Sequence, residues 1–327
     1  MTLRVAILGA GGIGSRHAEA VRQLPARMQL VASCGRDPAK ADAFAAMHGG
    51  VGYADFKRML GEAEPDLLIV ALPPHAHQGQ VELAAQSGVH LLVEKPIGLD
   101  LGRAEDMVAA TESAGVVAAC GFMYRFGAAV ERWDGLAEAG ETGQPGHFSG
   151  FFHSNALHAS WWRERSKGGG QMVEQLIHIV DLARHSLGQP ESVYARAANL
   201  FHREVDRYDS EDVSAMILNY PDGRIGVLHA SNIAVPGRWA KGWQIAAERM
   251  TGNFTDFNAA ELVRTHPEVS SEEIAGTTDV FVAQLADVAD AIAVQRAPRV
   301  PLREGAHSLA IVLAARRSAD EGREVAL

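Results

Sequence analysis

The stretch Leu3-Arg4-Val5-Ala6-Ile7-Leu8-Gly9-Ala10-Gly11-Gly12-Ile13-Gly14 decides the fold. A short apolar run leads directly into glycines spaced as GxGxxG, and an amphipathic segment near 13–24 follows. In that setting Gly9 permits a tight strand-to-helix turn, Gly11 lets the backbone approach a pyrophosphate, and Gly14 lets the helix pack on the strand. The helix N-terminus adds positive potential for phosphate. Gly12 and Ile13 complete the loop that would touch a dinucleotide.

Outward from this loop, the first 120 residues alternate apolar runs with helical segments, the pattern of a parallel sheet covered on both faces. The runs are Leu3 to Leu8, Leu30 to Cys34, Leu67 to Leu72, Leu91 to Val93 and Val116 to Gly121. Helices are predicted near 13–24, 38–47, 55–62, 77–87 and 103–114. Beyond about residue 122 the rhythm changes. A helix near 127–139 precedes a strand from His147 to His153, and the triplet Gly168-Gly169-Gly170 opens a second helix reaching about Leu187. Strand-like runs follow at 192–200, 212–220, 224–233, 243–250 and 261–264, with Pro221-Asp222-Gly223 as a hairpin turn signal, so an antiparallel sheet is expected. Helices near 279–296 and 303–321 come last. The fold class is therefore α/β, with a Rossmann domain at 1–122 and a second α/β domain at 123–327, the C-terminal helix being free to pack back on the first.

Composition narrows the function. Of the 327 residues, 47% are apolar and 21% charged, and 40 acids against 30 bases leave a net charge of −10. That balance argues against a nucleic-acid or anionic-membrane partner and for a small molecule. No apolar run is long enough for a membrane-spanning helix. Cys34 and Cys120 offer neither a disulfide framework nor a CxxC metal site, and with no signal segment in Met1-Thr2-Leu3-Arg4 a reducing cytoplasm is expected. No metal is expected.

The glycine fingerprint calls for an acid about 20 residues on, at the end of the second strand, to hold the adenosine ribose. In Ser33-Cys34-Gly35-Arg36-Asp37 that position is Gly35, followed by Arg36. A guanidinium there pairs with a 2′-phosphate, so NADP is favoured over NAD. Asp37, before Pro38, reads as the cap of the next helix.

Glu94-Lys95-Pro96 ends another buried strand, where open α/β sheets place ligand-contacting residues. Only five of the 30 bases are lysines (40, 57, 95, 167 and 241), so a lysine here points to a need for a compact ammonium. Gly9 to Gly14, Pro73-Pro74 with His77, Glu94-Lys95-Pro96, Tyr124-Arg125-Phe126, Trp162-Arg163, and Gly168-Gly169-Gly170 followed by Glu174 and His178 occur in one order over nearly the whole chain. In this the sequence resembles the glucose-fructose oxidoreductase and inositol dehydrogenase family. The resemblance implies a nicotinamide cofactor, sugar or polyol substrates, and a second domain whose open sheet joins subunits into a homodimer or homotetramer. It places Pro73, His77, Glu94 and Lys95 on the cofactor side, and His178 beside the substrate carbinol. The family's usual aspartate at the position of Glu174 is here longer by one methylene.

Glu174, His178 and Asp181 are spaced i, i+4 and i+7, one face of an α-helix, with His185 extending it. Their neighbours Met172, Val173, Leu176, Ile177, Ile179, Val180 and Leu182 are apolar, so the polar row is expected to line a cavity. Hydride transfer from a carbinol requires a base and a group to stabilise alkoxide. His178 and Lys95 fit both tasks, and the residue types do not decide which takes the proton. Glu174 orients the imidazole or binds a hydroxyl. Tyr124, Arg125, Asn155, Trp162 and Arg163, then Trp161 and Lys167, are candidate substrate contacts, while Asp181 and His185 are read as structural. Two other functions compete: glycoside hydrolysis through transient redox, and a catalytically silent dinucleotide sensor.

Overall fold

A computed structural model describes residues 2–155 and 157–327; Met1 and Ala156 lie outside the described residues. The chain forms two compact units, Met1–Met123 with Asp279–Ala306, and Tyr124–Thr278 with His307–Leu327.

In the first unit β1 (Leu3–Leu8), α1 (Gly12–Arg22), β2 (Met28–Cys34), α2 (Pro38–His48), β3 (Val51–Tyr53), α3 (Phe56–Ala63), β4 (Leu67–Val70), α4 (Gln80–Gln86), β5 (His90–Val93), α5 (Leu101–Ala114) and β6 (Ala118–Cys120) alternate. The strands pair in parallel in the order β3-β2-β1-β4-β5-β6. Leu67 to Val70 and Leu91 to Val93 are fully buried, as strands covered on both faces must be. Asp37, Asp55 and Asp100 cap α2, α3 and α5 by accepting backbone N–H bonds, confirming the cap read at Asp37.

The second unit opens with α6 (Ala128–Glu138) and β7 (Pro145–Asn155), then the short helices α7 (Ser160–Arg163) and α8 (Arg165–Gly168). A π-helical turn, Met172–Leu176, leads into α9 (Ile177–Leu187). Then come β8 (Ser192–Ala198), β9 (Val213–Asn219), β10 (Ile225–Pro236), β11 (Ala240–Ala247), β12 (Met250–Asp256), β13 (Ala259–Arg264) and β14 (Ser270–Ala275). Helix α10 (Val280–Val294) belongs to the first unit, and α11 (Leu302–Glu321) and β15 (Val325–Ala326) end the chain. The nine strands run β14-β13-β12-β11-β7-β10-β9-β8-β15, antiparallel except between β7 and β10. The run at 243–250 is thus divided between two strands, and β3, β14 and β15 are additions to the sequence reading.

Alternation along β9 and β10 gives this sheet one inner and one outer face. Helix α9 packs on the inner face against β7, so closely that a Cβ at Gly150 would stand 2.6 Å from Ile179 Cγ2. On the outer face Tyr194, Ile217 and Val227 lie side by side across three strands and are exposed.

Candidate active site

Steric room divides the positions of the glycine loop into two kinds. Gly9 has φ +119°, and a Cβ there would lie 2.3 Å from the Ala71 carbonyl oxygen; a Cβ on Gly14 would lie 2.1 Å from the Gly9 carbonyl oxygen. These two glycines serve the turn and the helix packing. Gly11 and Gly12 differ, because a Cβ on either would meet nothing within 4 Å. Packing does not require them, and the open backbone at the α1 N-terminus fits a pyrophosphate. Ile13 is exposed beside them, and Arg36 is exposed just past β2.

Pro73 precedes a 3-10 turn, Pro74–Ala76, and His77 follows it, buried. Burial pushes the His77 imidazole down to about 4, against a partly compensating Leu72 carbonyl. At the end of β5 the Glu94 carboxylate is turned inward. His17 Nε2 lies 2.7 Å from Glu94 Oε1, and the Lys95 backbone N–H donates to Oε2 at 3.2 Å. His17 carries no sequence motif of its own; its place on α1 just past the glycine loop is the one signal that could have found it.

In the second unit the expected single face from Glu174 to His185 is broken by the π turn, whose wider winding takes Glu174 out of α-helical phase with His178. Glu211 sets that turn: its buried Oε1 accepts from the Met172 backbone N–H at 2.7 Å, and a Cβ at Gly170 would lie 2.3 Å from its other oxygen. The glycine triplet is therefore matched to a carboxylate about forty residues downstream. Burial pushes the Glu211 carboxyl up.

His178 is buried with its ring stacked on Tyr124, centroids 4.4 Å apart and planes 22° from parallel. Burial, with Asp256 and Glu174 nearby, holds the Tyr124 phenol protonated. Lys241 Nζ lies 5.4 Å from the centre of the Tyr124 ring and 4.9 Å from that of Phe257, and pairs with Asp256 at 2.8 Å. No motif marked Lys241 or Asp256. Arg125 is committed to buried Asp181, through Nε to Oδ2 at 2.8 Å and Nη2 to Oδ1 at 2.6 Å. His185 is exposed and pairs with Asp134.

Trp162 is buried beneath His158, ring centroids 3.9 Å apart. Arg163 donates to the Leu157 and His158 carbonyls, and Asn155 Nδ2 to the Ile233 carbonyl. Lys167 pairs with Glu164. The structure thus gathers Tyr124, Glu174 and His178 around one stack, and it draws Asn155 and Arg163 into local backbone contacts. Among the described residues no group of three or more His, Cys, Asp or Glu side chains is placed to hold a metal ion, and no helix is long and apolar enough to cross a membrane.

A parallel sheet with an open glycine loop at Gly11 and Gly12 at the N-terminus of its first helix defines a dinucleotide-binding protein of the Rossmann class. The chain belongs to the GFO/IDH/MocA family: the family's NAD-binding Rossmann oxidoreductase model matches residues 3–122, and its C-terminal domain model residues 131–251. It is 28% identical to scyllo-inositol 2-dehydrogenase (NAD(+)) of Bacillus subtilis over 72% of this chain and 69% of that one. To D-xylose 1-dehydrogenase (NADP(+)) 2 of Haloferax volcanii it is 27% identical over 98% of each. Its fold matches a levoglucosan dehydrogenase solved with NADH and levoglucosan, with TM-score 0.93 and 19% identity over 100% of this chain and 99% of that one. The protein is an NAD(P)-dependent oxidoreductase. The hydrolase and silent-sensor alternatives gain no support from these relatives.

Proposed function

We propose that this enzyme oxidises a carbinol of a sugar or polyol, or reduces the matching carbonyl, with NADP preferred to NAD. What carries the reading is the open cradle at Gly11 and Gly12 on the same sheet as Lys95, both at carboxyl ends of strands. Relatives named for action on scyllo-inositol and D-xylose support the substrate class. The absence of an acid at Gly35 and the exposed Arg36 support NADP.

A bound nicotinamide supplies the hydride acceptor or donor. Gly11, Gly12 and Ile13, with the α1 N-terminus, hold the pyrophosphate, and Arg36 pairs with the 2′-phosphate. Pro73 and His77 border the cofactor, and Glu94 serves it through Lys95. Lys95 donates to the carbinol oxygen and stabilises alkoxide, while His178 takes the hydroxyl proton on an imidazole nitrogen, with Lys95 as the other acceptor. Glu174 orients the imidazole. Tyr124 and Trp162 wall the substrate, Arg125 acts from its pair with Asp181, Asn155 ties the end of β7 to the Ile233 carbonyl of β10, and Arg163 holds the carbonyls of Leu157 and His158. The second unit binds substrate and, through Tyr194, Ile217 and Val227 on the outer sheet face, forms a homodimer or homotetramer.

A panel of myo-inositol, scyllo-inositol, D-xylose, D-apiose and levoglucosan, offered with NADP+ and with NAD+ and followed at the nicotinamide absorbance, tests the reaction. Turnover of at least one with NADP+ is expected, and no reduction of either cofactor by any sugar or polyol would overturn the reading. Light scattering of the wild type and I217E tests the assembly: the wild type should exceed one chain's mass, and I217E should fall toward it.

A further inference from the structure

The contact between His17 and Glu94 joins two motifs that are 77 residues apart in sequence. His17 stands on α1, three residues past Gly14, and is wholly buried; Glu94 is buried as well. The carboxylate is held at both oxygens, Oε1 by His17 Nε2 at 2.7 Å and Oε2 by the backbone N–H of Lys95 at 3.2 Å. It has little room to turn, because a Cβ on Gly121 would stand 2.6 Å from Oε2. The imidazole is steadied from its other side by the Phe281 ring, edge-on with centroids 5.1 Å apart. A carboxylate removed from water needs its hydrogen-bond partners, so His17 decides where this one sits.

We propose that His17 is a positioning residue for the reaction: through Glu94 it fixes the main chain at Lys95 and ties that lysine to the helix whose N-terminus holds the pyrophosphate. The inference rests on the reading of Lys95 as the group that touches the substrate oxygen. Neither His17 nor Glu94 need meet a ligand, which accords with their burial. A shift of about 1 Å in a group that must meet a reacting atom costs on the order of a hundredfold in rate, so a clamp of this kind has kinetic consequences.

The test uses the full chain. H17L removes the imidazole donor and keeps the bulk, whereas H17Q keeps an N–H donor near the reach of Nε2. With the best substrate of the panel above, kcat should fall about tenfold or more in H17L, the KM values for NADP+ and for the sugar should change by less than roughly threefold, and H17Q should recover most of kcat. A second readout needs no turnover. The chain has five lysines, so reductive methylation with 13C-formaldehyde gives few dimethyl-lysine signals, and K95R assigns that of Lys95. In H17L the Lys95 signal should move while the other four stay in place. Should H17L not fold, E94Q is read by the same two measurements. Undiminished kcat together with an unmoved Lys95 signal, in a folded H17L or E94Q, overturns the inference. Wild-type turnover in K95A overturns instead the underlying role of Lys95, which keeps the two failures apart.

Discussion

Arg125 and Asp181 meet at two points inside the second unit, with both side chains almost fully removed from water. Ser308 adds a third bond, donating to Asp181 Oδ1 at 3.3 Å. Breaking such a pair from one side strands a buried charge, which costs about 3–5 kcal/mol. D181A should therefore lose about that much stability in urea unfolding, and the double variant R125M/D181L should lose less than D181A alone. Equal stability of D181A and wild type would show that the pair is no strut.

The glycine loop divides into positions that serve packing and positions that serve a ligand. At Gly14 an added methyl meets the Gly9 carbonyl at 2.1 Å, backbone that cannot move aside cheaply. At Gly12, the first residue of α1, it meets nothing, and alanine is the better helix former by up to about 1 kcal/mol. G14A should lower the melting temperature sharply. G12A should leave it equal or higher, yet weaken NADPH binding by about tenfold or more, read by fluorescence titration. Unchanged NADPH affinity in G12A would remove that residue from the cradle.

The cofactor half of the fold was legible in the sequence because its strands are buried on both faces and read as continuous apolar runs between glycine and proline signals. Where burial fails, so does legibility. β3 is three residues long with Gly52 at its centre, and β14, Ser270-Ser271-Glu272-Glu273-Ile274-Ala275, is an edge strand exposed along most of its length. Of the site, the glycines, Lys95 and His178 stand in local motifs. The partners that place them do not: Glu211 reaches Met172 across 39 residues, and His17 reaches Glu94 across 77. The π turn was invisible for a related reason: the i, i+4, i+7 spacing of Glu174, His178 and Asp181 presumes α-helical pitch throughout, and Glu211, which holds the changed turn at Met172, lies 39 residues away.

His77 gives the fold an acid sensitivity whose sign is fixed. Its imidazole falls from the usual 6.5 to about 4 in the folded protein because burial opposes the charged form. The unfolded chain then binds the proton first. Stability from this residue is fully present above pH 6.5 and is lost as the pH falls toward about 4, by an amount on the order of 3 kcal/mol. The melting temperature of the wild type should accordingly drop more steeply between those two pH values than that of H77Q. Parallel curves would mean that the folded and unfolded states bind this proton alike.

The stack of Tyr124 on His178 separates what the ring does from what its hydroxyl does. The phenol is buried and stays protonated, so it is a poor acid or base, whereas the ring face sets the plane of the imidazole. Y124F preserves that face and should keep kcat within about threefold of wild type. Y124A opens a cavity beside the imidazole and should lower kcat by roughly a hundredfold, approaching the loss expected of H178A. Dinucleotide affinity should be unchanged in all three, since none of them alters the glycine loop. If Y124F fell as far as Y124A, the hydroxyl rather than the stack would be the working part, and Tyr124 would have to be placed on the substrate itself.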